Sequence, residues 1–163
     1  MNQTEQSPAA WYALRAFRNK TQALMQQASE AGHRVYYAKC LSTIFFIHCP
    51  VEWLVEFKRS HISDFMIYND ATGNKPAPIR DREMETFIMV TSISYNNQDI
   101  EVLEPKPQYA QGDLVRVTDG IYKGATGIVR RIRKDRKLLI AINGVAVVAI
   151  SHIPMQYLEK VEA

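Results

Sequence analysis

The sequence predicts an α+β protein in two parts: helices packed on a mostly antiparallel sheet, followed by a small β-barrel. Three observations lead there. Over roughly the first hundred residues the patterns run strand, helix, strand, strand, helix, strand, helix, which is a sheet with helices laid on it. After Gly112 the chain breaks into short apolar runs parted by Gly, Asn-Gly and charged turns, with no helical period. Between the two, Glu104-Pro105-Lys106-Pro107 reads as a linker. The expected boundaries are 10–95 for the first domain, 96–111 for the linker and 112–163 for the second domain.

Trp11 to Phe17 is aromatic, then alternating, then broken by polar residues, so it is the first strand. Asn19 is a good helix cap, with Gln22 three residues on. Leu24, Met25, Ala28 and Ala31 then recur at helical spacing, and Gly32 ends the run. Val35 to Ala38 is a second strand. Leu41 to Cys49 holds the apolar run Ile44-Phe45-Phe46-Ile47, as a central strand does. Pro50 opens a second helix, where its missing N–H costs nothing, with Val51, Leu54, Val55 and Phe57 as its apolar face. Lys58 and Arg59 suit the negative end of its dipole. Asp64 to Tyr68 is a fourth strand, and the polar stretch 69–74 is a loop. Lys75-Pro76-Ala77-Pro78 is extended, because proline pushes its predecessor out of the helical region. Asp81, Glu83 and Glu85 fill the first turn of a third helix, whose Met84, Phe87, Ile88 and Thr91 point inward. Asn96 to Asp99 is a polar turn, and Ile100 to Leu103 is a short strand.

The second part opens on Asp113-Leu114-Val115-Arg116-Val117, an alternating strand. Gly120, Gly124 and Gly127 then punctuate a compact bend before Ile128 to Ile132, because glycine tolerates positive φ and lets backbones approach closely. Lys134 to Lys137 is a hairpin tip, Leu138 to Ile142 a strand, Asn143-Gly144 a tight turn, Val145 to Ile150 the returning strand, and Ile153 to Val161 a closing turn and strand. Five such strands fit an SH3-like barrel.

Composition narrows the function. Hydrophobic residues are 47% and charged residues 23%, ordinary for a globular chain. No apolar run is long enough for a spanning helix, and MNQTEQSPAA has neither the basic start nor the apolar core of a secretory signal, so a cytoplasmic protein with a polar lead is expected. Cys40 and Cys49 read as thiols of a reducing compartment, and His33, His48, His61 and His152 show no metal-ligand spacing, so no metal and no cofactor is expected. His48 beside Cys49 is the best fragment of a metal site, and it is poor. No G-x-x-x-x-G-K-[ST] phosphate loop and no nucleophile–base pair is visible. Asp81, Glu83 and Glu85 read as partners of a helix dipole rather than as catalytic acids. An enzyme is therefore not expected. Residues 1–111 hold eleven Lys and Arg against twelve Asp and Glu, whereas residues 112–163 hold nine against five. The basic excess lies in the second part and suits nucleic acid or an acidic partner.

The pattern G-D-x-V-x-V-x-x-G-x-x-x-G-x-x-G-x-V from Gly112 to Val129 resembles the KOW motif of ribosomal proteins and NusG-type elongation factors. An opening Trp11-Tyr12, the strand Ser42 to Ile47 and the lead Lys75 to Ile79 into the third helix resemble the NusG N-terminal domain. The likeness runs from Trp11 to Val161. It is strongest to the specialised UpxY-type paralogues of capsular polysaccharide loci, in MIYNDATGNKPAPIRDREMETFIMVTS, GIYKGATGIVRRIRKDRKLLIAINGVAVV and IPMQYLEKV. Two places depart from the family: a strand that usually begins Phe-Pro reads Leu41-Ser42, and the short polar motif of the second helix reads Glu52-Trp53-Leu54.

The resemblance implies a monomeric antitermination factor. Its N-terminal domain would dock on the clamp helices of RNA polymerase through an apolar patch, and its KOW barrel would recruit a second protein. Phe17, Leu41, Phe46 and Phe65 are the candidates for the patch, each equally suited to a core. Arg15, Arg18, Lys20, Lys58 and Arg59 are candidates for contact with non-template DNA through phosphates, against ordinary solvated charge. In the second part Tyr122, Lys123, Arg130 and Arg131 are candidates for a partner or nascent RNA. Tyr122 is either a barrel plug or a stacking platform. Arg130, Arg131, Arg133, Lys134, Arg136 and Lys137 crowd one hairpin. The competing reading is a general RNA- or ribosome-binding KOW protein.

Overall fold

The computed structural model describes residues 6–17, 19–93, 100–142 and 144–161. The chain divides into two compact units, Met1–Asp81 and Arg82–Ala163. This boundary falls earlier than the composition suggests, and it assigns the third helix to the second unit.

The first unit is built on a four-stranded antiparallel sheet. Its strands are β1 (Ala10–Ala16), β2 (Arg34–Tyr36), β3 (Ile44–Cys49) and β4 (Phe65–Ile67), in the order β2-β3-β1-β4. The helices α1 (Thr21–Glu30) and α2 (Val51–Ser60) lie between them in sequence. The β1–β3 register runs from Ala10↔Cys49 to Arg15↔Ile44, which puts Tyr12, Leu14, Phe45 and Ile47 on one face. That face packs on Leu24 and Ala28 of α1 and on Leu54 and Phe57 of α2, with Phe65 of β4 completing the core. Burying each of these large side chains stabilises by roughly 1.5–3 kcal/mol. The rings of Phe57 and Phe65 meet edge-on at 5.4 Å, and those of Trp53 and Phe57 at 4.7 Å.

The helix ends differ in part from expectation. Asn19 is not the cap of α1: it sits at φ 61°, and Lys20 holds the cap position without a side-chain bond. Asparagine tolerates the left-handed region, and here that use of the residue wins over capping. At the other end Gly32, at φ 92°, sends its N–H to Ser29 O while His33 N–H reaches Ala28 O. These are the paired bonds of a Schellman terminus. Pro50 sits at the extended cap position of α2, one residue before its first turn. Glu52 in that turn accepts from Ser7 N–H and, at 2.6 Å, from Ser7 Oγ, which pins the start of the chain to α2. These bonds, the side-chain one foremost, hold the Glu52 carboxyl below its ordinary range. Cys40 and Cys49 are free; burial pushes the Cys49 thiol up to about 12, which leaves it unreactive.

The second unit holds α3 (Asp81–Ile93) and a six-stranded antiparallel sheet of β5 (Ile100–Leu103), β6 (Leu114–Val117), β7 (Thr126–Ile132), β8 (Asp135–Ile142), β9 (Ala146–Ile150) and β10 (Leu158–Lys160). The order is β10-β6-β7-β8-β9-β5. The polar turn expected at 96–99 and Asn143 lie outside the described residues. The segment expected as a linker is partly sheet: β5 pairs with β9 from Ile100↔Ile150 to Leu103↔Val147, and Pro107–Ala110 form a 3-10 turn. That pairing also explains why the expected closed SH3-like barrel is not formed among the described residues. β5 occupies the edge of β9 that β10 would need in order to close the ring, so the sheet stays open.

The glycines of the bend have distinct tasks. Gly120 and Gly124 take φ 85° and 95°. Gly127 has ordinary dihedrals, but a Cβ there would lie 2.4 Å from the Leu139 carbonyl oxygen. It is required by close approach rather than by a turn. The β7–β8 hairpin is tighter than expected. Ile132 faces Asp135, so only Arg133 and Lys134 form the tip, at φ 50° and 78°. Two consecutive positive φ values are those of a type I′ turn, whose twist matches the strands it joins.

Candidate partner-binding face

The face of the first sheet opposite α1 and α2 carries Trp11, Ala13 and Arg15 of β1 and their register partners His48, Phe46 and Ile44 of β3. Trp11 is boxed in by its own unit: Ile79 N–H donates to its carbonyl at 2.8 Å, His48 lies 5.2 Å from its ring and the Arg34 guanidinium 5.2 Å above it. At the β4 edge the face is open. Arg15 is paired with Met66, and Phe17 N–H donates to Asp64 O, so Phe17 and Met66 are diagonal neighbours on one face. Phe17 is 40% and Met66 36% exposed, large values for apolar residues flanking a sheet. The Arg15 guanidinium lies 5.9 Å from the centre of the Tyr68 ring, within cation–π range. An apolar pair beside a held guanidinium and an aromatic ring is the composition of a protein contact.

Of the four residues expected in an apolar patch, Phe17 alone is exposed. Leu41 is 6% exposed, and Phe46 and Phe65 are fully buried. Phe65 packs in the core between β1 and α2, and the Phe46 ring lies 6.4 Å from that of Tyr36. The patch expected from these four is corrected accordingly. The residue that joins Phe17 is Met66, which the reading of the sequence missed although strand alternation in Phe65-Met66-Ile67-Tyr68 separates it from the core pair Phe65 and Ile67.

The basic candidates of this unit separate by what holds them. Arg15 is exposed on the face just described, and Lys20 is exposed at the start of α1. Arg18 lies outside the described residues. Lys58 is a structural cation rather than a free one. Its Nζ donates to the carbonyls of Ile62, at 2.9 Å, and Phe65, and lies 5.0 Å over the Phe65 ring. It ties the turn after α2 to β4, which takes it out of the nucleic-acid set. Arg59 is spent on Glu56 at 2.8 Å, an exposed pair of little energetic weight.

In the second unit Tyr122 is 5% exposed, so it fills the unit rather than offering a stacking platform. Lys123 is exposed beside it. Arg130 is half-buried and donates to Gln111 O at 3.1 Å, with its Nε unpartnered among the described residues. It braces the segment before β6. Arg133 and Lys137 share Glu101 of β5, at 2.5 and 3.0 Å. Of the hairpin cations, Arg131, Lys134 and Arg136 have no acidic partner among the described residues and are exposed to solvent. Among the described residues no group of three His, Cys, Asp or Glu side chains could hold a metal ion, and no helix is long and apolar enough to cross a membrane.

No family model matches the chain, and no curated protein matches it. Among solved structures it is similar to Thermotoga maritima NusG, in a structure describing domain interaction in that protein. Identity is 17% over 94% of this chain and 98% of that one, with a TM-score of 0.49. It is also similar to a chain of the MjSpt4:Spt5 complex in conformation B, at 14% identity over 94% and 97% of the two chains, with a TM-score of 0.36. Both scores fall short of fixing a common fold.

Proposed function

We propose that this chain is a non-catalytic transcription elongation factor of the NusG type that docks on RNA polymerase through the open β1/β4 face. The observation that carries the reading is the clustering of exposed Phe17 and Met66 with Arg15 at one sheet edge. A flexible thioether, an aromatic ring and a guanidinium are residue types enriched at protein contacts, and they suit an apolar helical surface such as the polymerase clamp. The order strand, helix, strand, strand, helix, strand, helix and the glycine-set bend of residues 120–127 support the same reading. Arg15 and Lys20, both exposed, are the cations proposed to contact non-template DNA. The finer proposal is antitermination on particular long operons, those of capsular polysaccharide in the UpxY manner. It comes with a monomeric, cytoplasmic protein that works without metal or cofactor and uses its second unit to engage another partner.

The test is binding of the purified full chain to core RNA polymerase, followed by read-through of a terminator in a reconstituted elongation assay. Binding with increased read-through is expected. A folded chain that does not bind polymerase would end the proposal. The alternative, a general RNA- or ribosome-binding protein, draws on the open cations Arg131, Lys134 and Arg136. It predicts salt-sensitive RNA affinity in the absence of polymerase.

A further inference from the structure

The second unit contains a groove of about 600 Å³ whose floor and rim have opposite character. Leu138 and Ile150, buried, and Ile153 and Leu158, half-buried, make its apolar floor, and the exposed Arg131 and Arg136 its rim. These two arginines are register partners across the β7–β8 hairpin, so their side chains leave the sheet on the same face, directly opposite one another. Like charges so placed repel. Their neighbours Arg133 and Lys137 share the one carboxylate of Glu101, whereas Arg131 and Arg136 have no acidic partner among the described residues. Asp135, the acid in the lining, pairs in register with Ile132 and belongs to the other face. The groove also runs to Leu158 of β10, an end strand whose outer backbone edge is unpaired among the described residues.

We propose that this groove binds an extended acidic segment of a partner protein in which carboxylates alternate with apolar side chains. Alternation sends successive side chains to opposite sides of an added strand, so one row meets the floor while the other is free to turn toward the rim. Each guanidinium takes a carboxylate through two parallel N–H···O bonds, which also removes the repulsion between the two arginines. Single-stranded RNA is the competing anion, but no Phe, Tyr or Trp lines the groove, and the imidazole of His152 is a small ring beside an apolar floor that bases would leave unfilled. The inference rests on the second unit alone and stands whether or not the chain binds polymerase.

Fluorescence anisotropy on the full chain tests it, with three labelled probes: a short peptide of alternating Glu and Leu, its Lys-Leu counterpart, and an oligouridylate matched in charge to the first. The Glu-Leu peptide is expected to bind and the other two to bind at least about tenfold more weakly. Arg131→Glu with Arg136→Glu should weaken the Glu-Leu peptide by about tenfold or more, while Arg59→Glu with Lys75→Glu, an equal change in net charge in the first unit, leaves it within about twofold. Thermal unfolding of each variant checks its fold. If the double glutamate does not fold, Arg131→Gln with Arg136→Gln keeps the stems and should still lose about fivefold. Absence of Glu-Leu binding, equal losses in both charge-reversal pairs, or tighter binding of oligouridylate would each overturn the assignment.

Discussion

Arg133 Nη2 donates to Glu101 Oε1 at 2.5 Å, joining the tip of the β7–β8 hairpin to an edge strand thirty-two residues earlier in the chain. Lys137 takes the other carboxylate oxygen at 3.0 Å. One carboxylate thus ties β5 to the β7–β8 hairpin across β9, the strand that pairs with both β5 and β8. The bonds from Arg133 and then Lys137 hold the Glu101 carboxyl below its ordinary range. A depressed carboxyl pKa contributes stability that is complete above the unfolded value and is lost as pH falls through the folded one. The thermal-midpoint difference between the native chain and Glu101→Gln should therefore be constant above the ordinary carboxylate range and shrink as pH falls below it. A difference that grows on acidification would contradict the tie.

Gly127→Ala should destabilise the second unit by about 2–3 kcal/mol in urea unfolding. The obstacle is the Leu139 carbonyl oxygen, and backbone in a paired strand cannot move aside as a side chain would. Gly124→Ala tests a different cause, because nothing crowds that position and its cost comes from φ alone.

Lys58→Met keeps the stem over Phe65 and removes the ammonium from the carbonyls of Ile62 and Phe65. A loss of about 1–2 kcal/mol is expected by chemical denaturation. Any weakening of nucleic-acid binding should track unfolding rather than precede it.

Phe65→Ala and the pair Phe17→Ser/Met66→Ser separate core from contact. The first removes a ring buried against Phe57 and should cost about 3–5 kcal/mol. The second changes partly exposed groups, so it should cost less stability than Phe65→Ala while polymerase affinity falls about tenfold or more. Equilibrium unfolding and a polymerase binding titration on the same preparations give both readings.

Much of the architecture was legible in the sequence because periodicity reports burial. The run Ile44 to Ile47 is an inner strand because it is apolar on both faces, and Gly32 closes α1 with the bonds that residue type suits. The candidate site was less legible. Phe17, Phe46 and Phe65 are the same residue type, and only register decides that Phe65 enters the core while its neighbour Met66 is exposed. Lys58 looked like any cation at a helix end; its two carbonyl partners come from residues that follow the helix. Asn19 suited two local roles equally, and the tertiary path chose the left-handed one. The strand at Ile100–Leu103 was readable as a strand, but its partner β9 was not, since long-range pairing leaves no local mark.

That pairing bears on how the molecule should be divided for experiment. A fragment beginning at Gly112 would discard β5 and strip one whole side of β9, a strand buried along its entire length, leaving its amides and carbonyls bare beside apolar side chains. Such a truncation invites self-association, and binding measured on it would report the exposed flank as much as the native surface. A cut placed upstream of Ile100 retains the protecting strand.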